Sequence, residues 1–147
     1  MKNKPNESTI LVVGATGLLG MEICGQLTAL NKNVKALVRK TSAAEKVNAL
    51  KQLGAQLVEG DLKDQSSIKK ALQGITTIVS TASSTFSRQD RDSIQTVDNE
   101  GQTNLAKEAI TAGIQHFIYI SFPFMQGEFP LQDAKRRVEK KLIASNM

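Results

Sequence analysis

The chain is short of several things, and each shortage narrows what it can be. Cysteine occurs once, so no internal disulfide can form. Cys24 falls within a helical pattern and reads as a small buried hydrophobe rather than a reactive thiol. No apolar run approaches the ~18 residues that a membrane span requires. Residues 1–8 are polar, with no apolar segment behind the basic ones, so they read as a disordered tail and not as a secretory signal. Cytoplasm is the expected compartment. The formal net charge is +5, but the excess gathers in one segment, where Lys135, Arg136, Arg137, Lys140 and Lys141 face only Asp133 and Glu139. Without interleaved aromatics or a DNA-binding motif, that segment reads as a solvated helix face, and no nucleic acid is expected as a partner. No metal site is expected either. Neither a repeat nor a domain boundary interrupts residues 9–147. A compact domain of such length buries roughly 68–70% of its unfolded surface, so a real core is available.

What the chain does have is a glycine run in a telling place. Apolar residues 10–13 lead directly into Gly14-Ala15-Thr16-Gly17-Leu18-Leu19-Gly20, and a helical pattern follows with Leu19, Ile23, Leu27 and Leu30 on one face. Strand, glycine turn and helix is the context in which glycines spaced by three bind a dinucleotide. Gly14 permits the tight turn. Gly17 has no side chain to keep backbone N–H groups from a diphosphate, and Gly20 lets the helix lie close to the sheet. The first turn of the helix then offers unpaired N–H groups and its positive dipole end to the phosphates. Thr16, Leu18 and Leu19 belong to the same turn.

Beyond it, apolar runs and helical patterns alternate. Strands are expected over 9–14, 34–38, 55–59, 75–80 and 114–121, and helices over 17–30, 42–53, 64–72, 94–112 and 132–145. Asp64 or Ser66 is the expected cap of the third helix. Such alternation means an α/β fold in three layers, a doubly wound parallel sheet of about five strands in the order 3-2-1-4-5.

Ligands of such sheets lie outside the carboxyl ends of the strands, so each strand end is a candidate. An acidic residue about 20 residues past the glycines normally accepts the ribose hydroxyls of NAD. Here Arg39 stands 19 residues after Gly20, with Lys40, Thr41 and Ser42 beside it. A guanidinium holds a 2′-phosphate through two charge-assisted hydrogen bonds, so the position predicts NADP(H), with NAD(H) possible. At the third strand's end, Asp61 is placed to accept from an adenine amino group while Leu62 packs on the ring; a turn or cap aspartate explains the same residue equally well. After the fourth strand come Thr81, Ala82 and Ser83, small residues that let backbone approach a ribose or nicotinamide and that also suit sheet packing. His116, the only histidine, lies at the start of the fifth strand, away from this edge, and is given a structural role.

These landmarks, together with Ala36-Leu37-Val38-Arg39, Glu59-Gly60-Asp61-Leu62, Val97-Asp98 and the stretch from Gly113 to Ser121, resemble those of NmrA-like proteins. That family sits among the atypical and extended short-chain dehydrogenase/reductases, and the resemblance covers residues 9–147. It implies an NAD(P)-binding Rossmann domain in which the glycines and Arg39 match the NADP(H) site. It further implies catalytic positions at Ser121 and Lys135. The tyrosine that the extended enzymes carry four residues before the lysine is replaced by Leu131. Tyr119 is the only tyrosine, and it falls inside the fifth strand. Isoflavone-reductase-like members use a lysine without that tyrosine, so Lys135 keeps a possible role beside the plain reading of one more lysine on a basic helix. Family members continue into a carboxyl-terminal substrate lobe, so most of the substrate site is expected to be missing from a chain ending at Met147.

The loop from Phe122 to Phe129 holds three of the five phenylalanines, and Phe86 lies in the loop after the fourth strand. Packing on a lobe, a second subunit or a protein partner is the favoured reading of these aromatics; facing a flat, quinone-like substrate is the other. The leading function is hydride transfer from NADPH to an unknown substrate. A non-catalytic NADP(H) sensor acting through a protein partner is the alternative, and a sugar-nucleotide epimerase or dehydratase is third because it needs the missing tyrosine.

Overall fold

A computed structural model describes residues 8–86 and 89–147. Apart from Ser8, the expected polar tail lies outside the described residues. Five parallel strands form one sheet: β1 (Thr9–Val13), β2 (Asn33–Val38), β3 (Gln56–Glu59), β4 (Thr77–Ser80) and β5 (His116–Tyr119), in the order β3-β2-β1-β4-β5. Register is tight at the centre, with Val12 opposite Ala36 on one side and Val79 on the other. The helices are α1 (Leu18–Ala29), α2 (Ala44–Gln52), α3 (Gln65–Ala71), α4 (Gln102–Ala112) and α5 (Pro130–Ala144). Among the described residues, no helix is long and apolar enough to cross a membrane.

The period of two along the strands divides the core between the sheet's faces. Val12, Val34 and Ala36 pack with Cys24 of α1 and Leu50 of α2. Leu11, Val13, Leu37 and Ile78 point the other way, onto Ile68 of α3 and Leu105 and Ala109 of α4. Each fully buried Leu or Ile contributes roughly 1.5–3 kcal/mol of transfer free energy, so both layers are needed to hold the sheet. The α5 helix packs on α4 and on residues 94–101 before it, and its Ala134 and Val138 are buried. Burial pushes the Cys24 thiol up to about 11, in keeping with an inert core residue.

Two local features differ from the pattern read in the sequence, and a third decides between two expected caps. In α1, Ile23 and Leu27 are partly buried, but Leu19 and Leu30 are exposed, and the buried face is centred on Gly20 and Cys24. The small residues win because they let the helix approach closely. The expected helix over 94–112 is π-helical from Ile94 to Gly101 before continuing as α4. Ser93 and Thr96 cap this segment reciprocally, with Thr96 N–H donating to Ser93 Oγ at 3.1 Å and Ser93 N–H to Thr96 Oγ1 at 3.0 Å. The wider turn brings Gly101 against Leu62: a Cβ on Gly101 would lie 2.9 Å from the Leu62 Cβ. Lastly, α3 is capped by Asp64, which accepts from the N–H groups of Ser66 and Ser67 at 3.0 and 3.3 Å. Its carboxyl is held below the usual range, chiefly by the Ser67 N–H and the Ser66 hydroxyl.

Candidate functional site

The strand order reverses between β1 and β4, and a crevice opens outside the carboxyl ends of these strands, as doubly wound sheets require. It is a cavity of about 620 Å³. Gly14, Thr16, Gly17, Leu18 and Leu19 form one wall, Arg39, Asp61 and Leu62 a second, and Thr81, Ala82 and Ser83 a third. Of the sequence-predicted cofactor residues, only Gly20 and Lys40 lie outside this lining. Lys40 is exposed at the exit of β2, 3.6 Å from Glu59.

The glycine turn is built against β4. Thr81 N–H donates to the Val13 carbonyl at 2.9 Å, and its hydroxyl reaches the Val13 and Gly14 carbonyls at 3.2 and 3.3 Å. A Cβ on Gly14 would sit 2.6 Å from Thr81 Oγ1 and 2.7 Å from Ala82 N, and Gly14 has φ +85°. Only glycine fits there. A Cβ on Gly20 would overlap the Gly14 backbone, so this glycine seats α1 on the turn itself rather than on the sheet. Gly17 is different: its added Cβ meets only the Gly14 carbonyl oxygen, at 3.2 Å. No side chain caps the first turn of α1. The Gly17 N–H closes the turn on the Gly14 carbonyl at 3.0 Å, so the backbone N–H groups left at this wall of the cavity are those of Leu18 and Leu19, at the start of α1.

Arg39 and Asp61 are more committed than their spacing suggests. The backbone of Arg39 is fixed by Ser42, whose Oγ accepts its N–H at 2.9 Å. Its guanidinium donates through Nη1 to both oxygens of Asp92, at 2.8 and 3.1 Å. Lys63 Nζ also donates to Asp92, and Gln89 N–H reaches the same carboxylate at 3.1 Å. Burial alone would raise the Asp92 carboxyl, but these hydrogen bonds and the Arg39 charge outweigh it and hold the group at about 2. Asp61 accepts the Lys63 N–H at 2.9 Å, the geometry of a turn aspartate, and its other oxygen lies 3.7 Å from Lys63 Nζ.

Lys135 and Ser121 stand together at the end of β5, and neither lines the cavity. Lys135 is 5% exposed, donates through Nζ to the Ile120 carbonyl at 3.0 Å, and lies 4.7 Å from the Tyr119 ring centre. Burial lowers its proton affinity, against the opposing pull of Asp98 and Glu139. Burial likewise raises the Tyr119 phenol, with Asp98 and Glu139 adding to the effect. Ser121 donates to Glu139 and accepts from Arg136 Nη1 at 3.1 Å. In the aromatic loop, Phe122 stacks on Phe129 at 5.2 Å, while Phe124 and Met125 are exposed. Phe86, 99% exposed as a residue, borders the cavity.

Two buried polar residues that sequence reasoning missed shape the third wall. Gln102 donates to the Ala82 carbonyl at 2.8 Å and accepts from Ser80 Oγ at 2.9 Å. Asp98 accepts from the Ser84 N–H and hydroxyl at 3.0 and 2.7 Å. The available signal was a polar residue on the apolar face of a helix, which is hydrogen-bonded when buried. Asp92 was missed because it lies in a loop whose course is set by tertiary structure.

The sequence pattern of the NmrA-like family matches residues 6–146. The chain belongs to that family. The photosystem II assembly factor Ycf39 of Trieres chinensis is 35% identical to the NmrA-like chain over 141 residues, covering 95% of this chain and 43% of that protein. A structure titled AtPrR2 with NADP+ and (+)pinoresinol is 25% identical, with a TM-score of 0.76 over 98% of this chain and 48% of that one. The Citrobacter sp. triphenylmethane reductase complexed with NADP(H) is 25% identical, with a TM-score of 0.74 over 95% of this chain and 46% of that one. The NmrA-like chain therefore spans less than half the length of each of these proteins.

Proposed function

We propose that the chain is the nicotinamide-dinucleotide-binding part of an NmrA-like reductase, with NADP(H) preferred over NAD(H). The observation that carries this reading is the cavity at the strand-order reversal, walled by bare glycine backbone on one side and by a guanidinium on another. The backbone at Leu18 and Leu19, beside Gly17, would hold the diphosphate. Arg39, with Lys40 nearby, would meet the 2′-phosphate, Asp61 and Leu62 the adenine, and Thr81, Ala82 and Ser83 the ribose or nicotinamide. The bound nucleotide supplies the hydride, and the chain supplies position and electrostatics. No particular acceptor is assigned, a flat, quinone-like molecule being the first class to assay, and the proposed compartment is the cytoplasm. Lys135 and Ser121 are the proposed acid and polarising groups; the lowered proton affinity of Lys135 supports that role.

The non-catalytic sensor is the second reading. It is favoured by Leu131 in the tyrosine position and by Lys135 being hydrogen-bonded to a backbone carbonyl outside the cavity. Its partner surface, or that of a homodimer, would be the Phe122–Phe129 loop, where Phe124 and Met125 are exposed.

Titration with NADPH and NADP⁺ followed by fluorescence, then NADPH oxidation against a quinone panel, separates the two. Turnover that Lys135→Ala abolishes supports the reductase; tight binding without turnover supports the sensor. Absence of binding to any nicotinamide nucleotide would end both. Arg39→Ala is expected to weaken NADP(H) more than NAD(H), and equal losses would remove the 2′-phosphate assignment.

A further inference from the structure

The segment before the π-helix returns to the exit of β2 and is fastened there. Thr41 Oγ1 donates to Gln89 Oε1, and Gln89 Nε2 donates to the Thr41 carbonyl at 3.2 Å. Asp92 follows, its side chain 2% exposed, with Arg39 on one flank and Lys63 on the other. Arg39 uses only Nη1 in this pair. Its Nη2 and Nε make no hydrogen bond among the described residues, so one intact fork remains for a phosphate. The charges are nevertheless balanced already: Arg39 and Lys63 are matched by Asp92 and Asp61. A 2′-phosphate entering beside Arg39 would bring close to two negative charges at neutral pH. It would meet the ionised Asp92 carboxylate on the same guanidinium.

We propose that Asp92 sets the balance between NADP(H) and NAD(H): its carboxylate is a resident counter-anion that cancels much of the attraction of Arg39 and Lys63 for a 2′-phosphate. This rests on the nucleotide-binding reading above. A purely orienting role for Asp92 fits less well. The Arg39 backbone is already fixed by Ser42, and orientation of Arg39 would not require Asp92 to take Lys63 as well. A nucleotide without the phosphate brings no like charge to this corner, and it leaves the ion pairs intact. The natural chain thus favours NADP(H) by only a modest margin, and removing one negative charge widens it.

The test is titration of the full chain with NADPH and with NADH at one ionic strength, comparing wild type, Asp92→Asn and Asp92→Ser, each shown to be folded by its melting curve. Removal of a like charge within contact distance of the same guanidinium should tighten NADPH by about tenfold or more in both variants, and change NADH by less than about threefold. The wild-type ratio of the two affinities should lie within about tenfold, and a larger ratio overturns the proposal even if both variants fail to fold. NADPH binding that is weakened or unchanged in the folded variants overturns the role of Asp92, as does a larger wild-type ratio. In either case nucleotide binding itself stands. A wild-type chain that binds neither nucleotide overturns this proposal and the binding reading together.

Discussion

Replacing Gly20 with alanine should destabilise the domain, although alanine is the better helix former. Inside a helix, glycine costs roughly 0.5–1 kcal/mol relative to alanine, so propensity alone predicts a gain. At Gly20 the added methyl would overlap the Gly14 carbonyl oxygen and come within 2.7 Å of the Gly14 carbonyl carbon and 2.9 Å of the Ala15 Cα. These are backbone atoms, which cannot rotate away. Overpacking of this kind costs about 1–3 kcal/mol or more, and the backbone collision puts Gly20 at the upper end, for a net loss of about 2–3 kcal/mol. At about 2–4 °C per kcal/mol for a domain of this size, the melting temperature should fall by about 4–12 °C. Gly25 supplies the control in the same helix. Its added Cβ would meet only Leu53 methyl groups, at 3.5 and 3.7 Å, ordinary contact distances. Gly25→Ala should therefore raise stability by up to about 1 kcal/mol. Thermal melts and urea titrations of both variants measure the difference. A Gly20→Ala chain as stable as wild type, or two glycines shifting in the same direction, would refute the assignment of close approach to Gly20.

Gln102→Leu should destabilise by about 2–5 kcal/mol, because the Ala82 carbonyl loses its donor and the Ser80 hydroxyl its acceptor in the core. Urea unfolding reads the loss, and unchanged stability would show that these bonds do not matter. Nucleotide affinity should fall as well, since Ala82 lines the cavity. Lys135→Met should change stability at pH 7 by less than about 2 kcal/mol, since the desolvation of a buried ammonium offsets its hydrogen bond and ring contact. Lys135 has a lower proton affinity folded than unfolded. Between its lowered folded value and the free-lysine value near 10.4 the unfolded chain binds more protons, so wild-type stability should rise relative to the variant as pH climbs through that window. Parallel pH-dependent melts would exclude the buried charge. Asp92 shifts stability in the same sense but at the acid end: with a folded value of about 2, it contributes stability above the unfolded range near 3.9 and loses it as pH falls toward 2. Asp92→Asn should flatten that acid limb, and an unaltered limb would deny the ion pairs.

The sheet and the glycine turn were legible in the residues alone because both are written locally. Short apolar runs alternating with helical patterns specify strand, crossover and strand, and the parallel order 3-2-1-4-5 follows from few remaining topologies. Gly14 and Gly17 announced a backbone-lined wall because a turn's conformational demands fall on its own residues. Local reading failed where a side chain's environment depends on a distant segment. The Leu19–Leu30 stripe was the obvious apolar face of α1, yet closeness to the Gly14 turn rotated the buried face to Gly20 and Cys24. The period of 94–112 announced a helix, but the π-turns that bring Gly101 to Leu62 and place Asp98 and Gln102 in the core are decided by packing against β4 and its exit. Arg39 is the clearest case. Its charge and position belong to the sequence, but its counter-ion is 53 residues away, and only the folded loop brings Asp92 to the guanidinium. Patterns of burial and turn chemistry act between neighbours, whereas pairing of buried charges is a long-range contact that exists only once the chain has closed on itself.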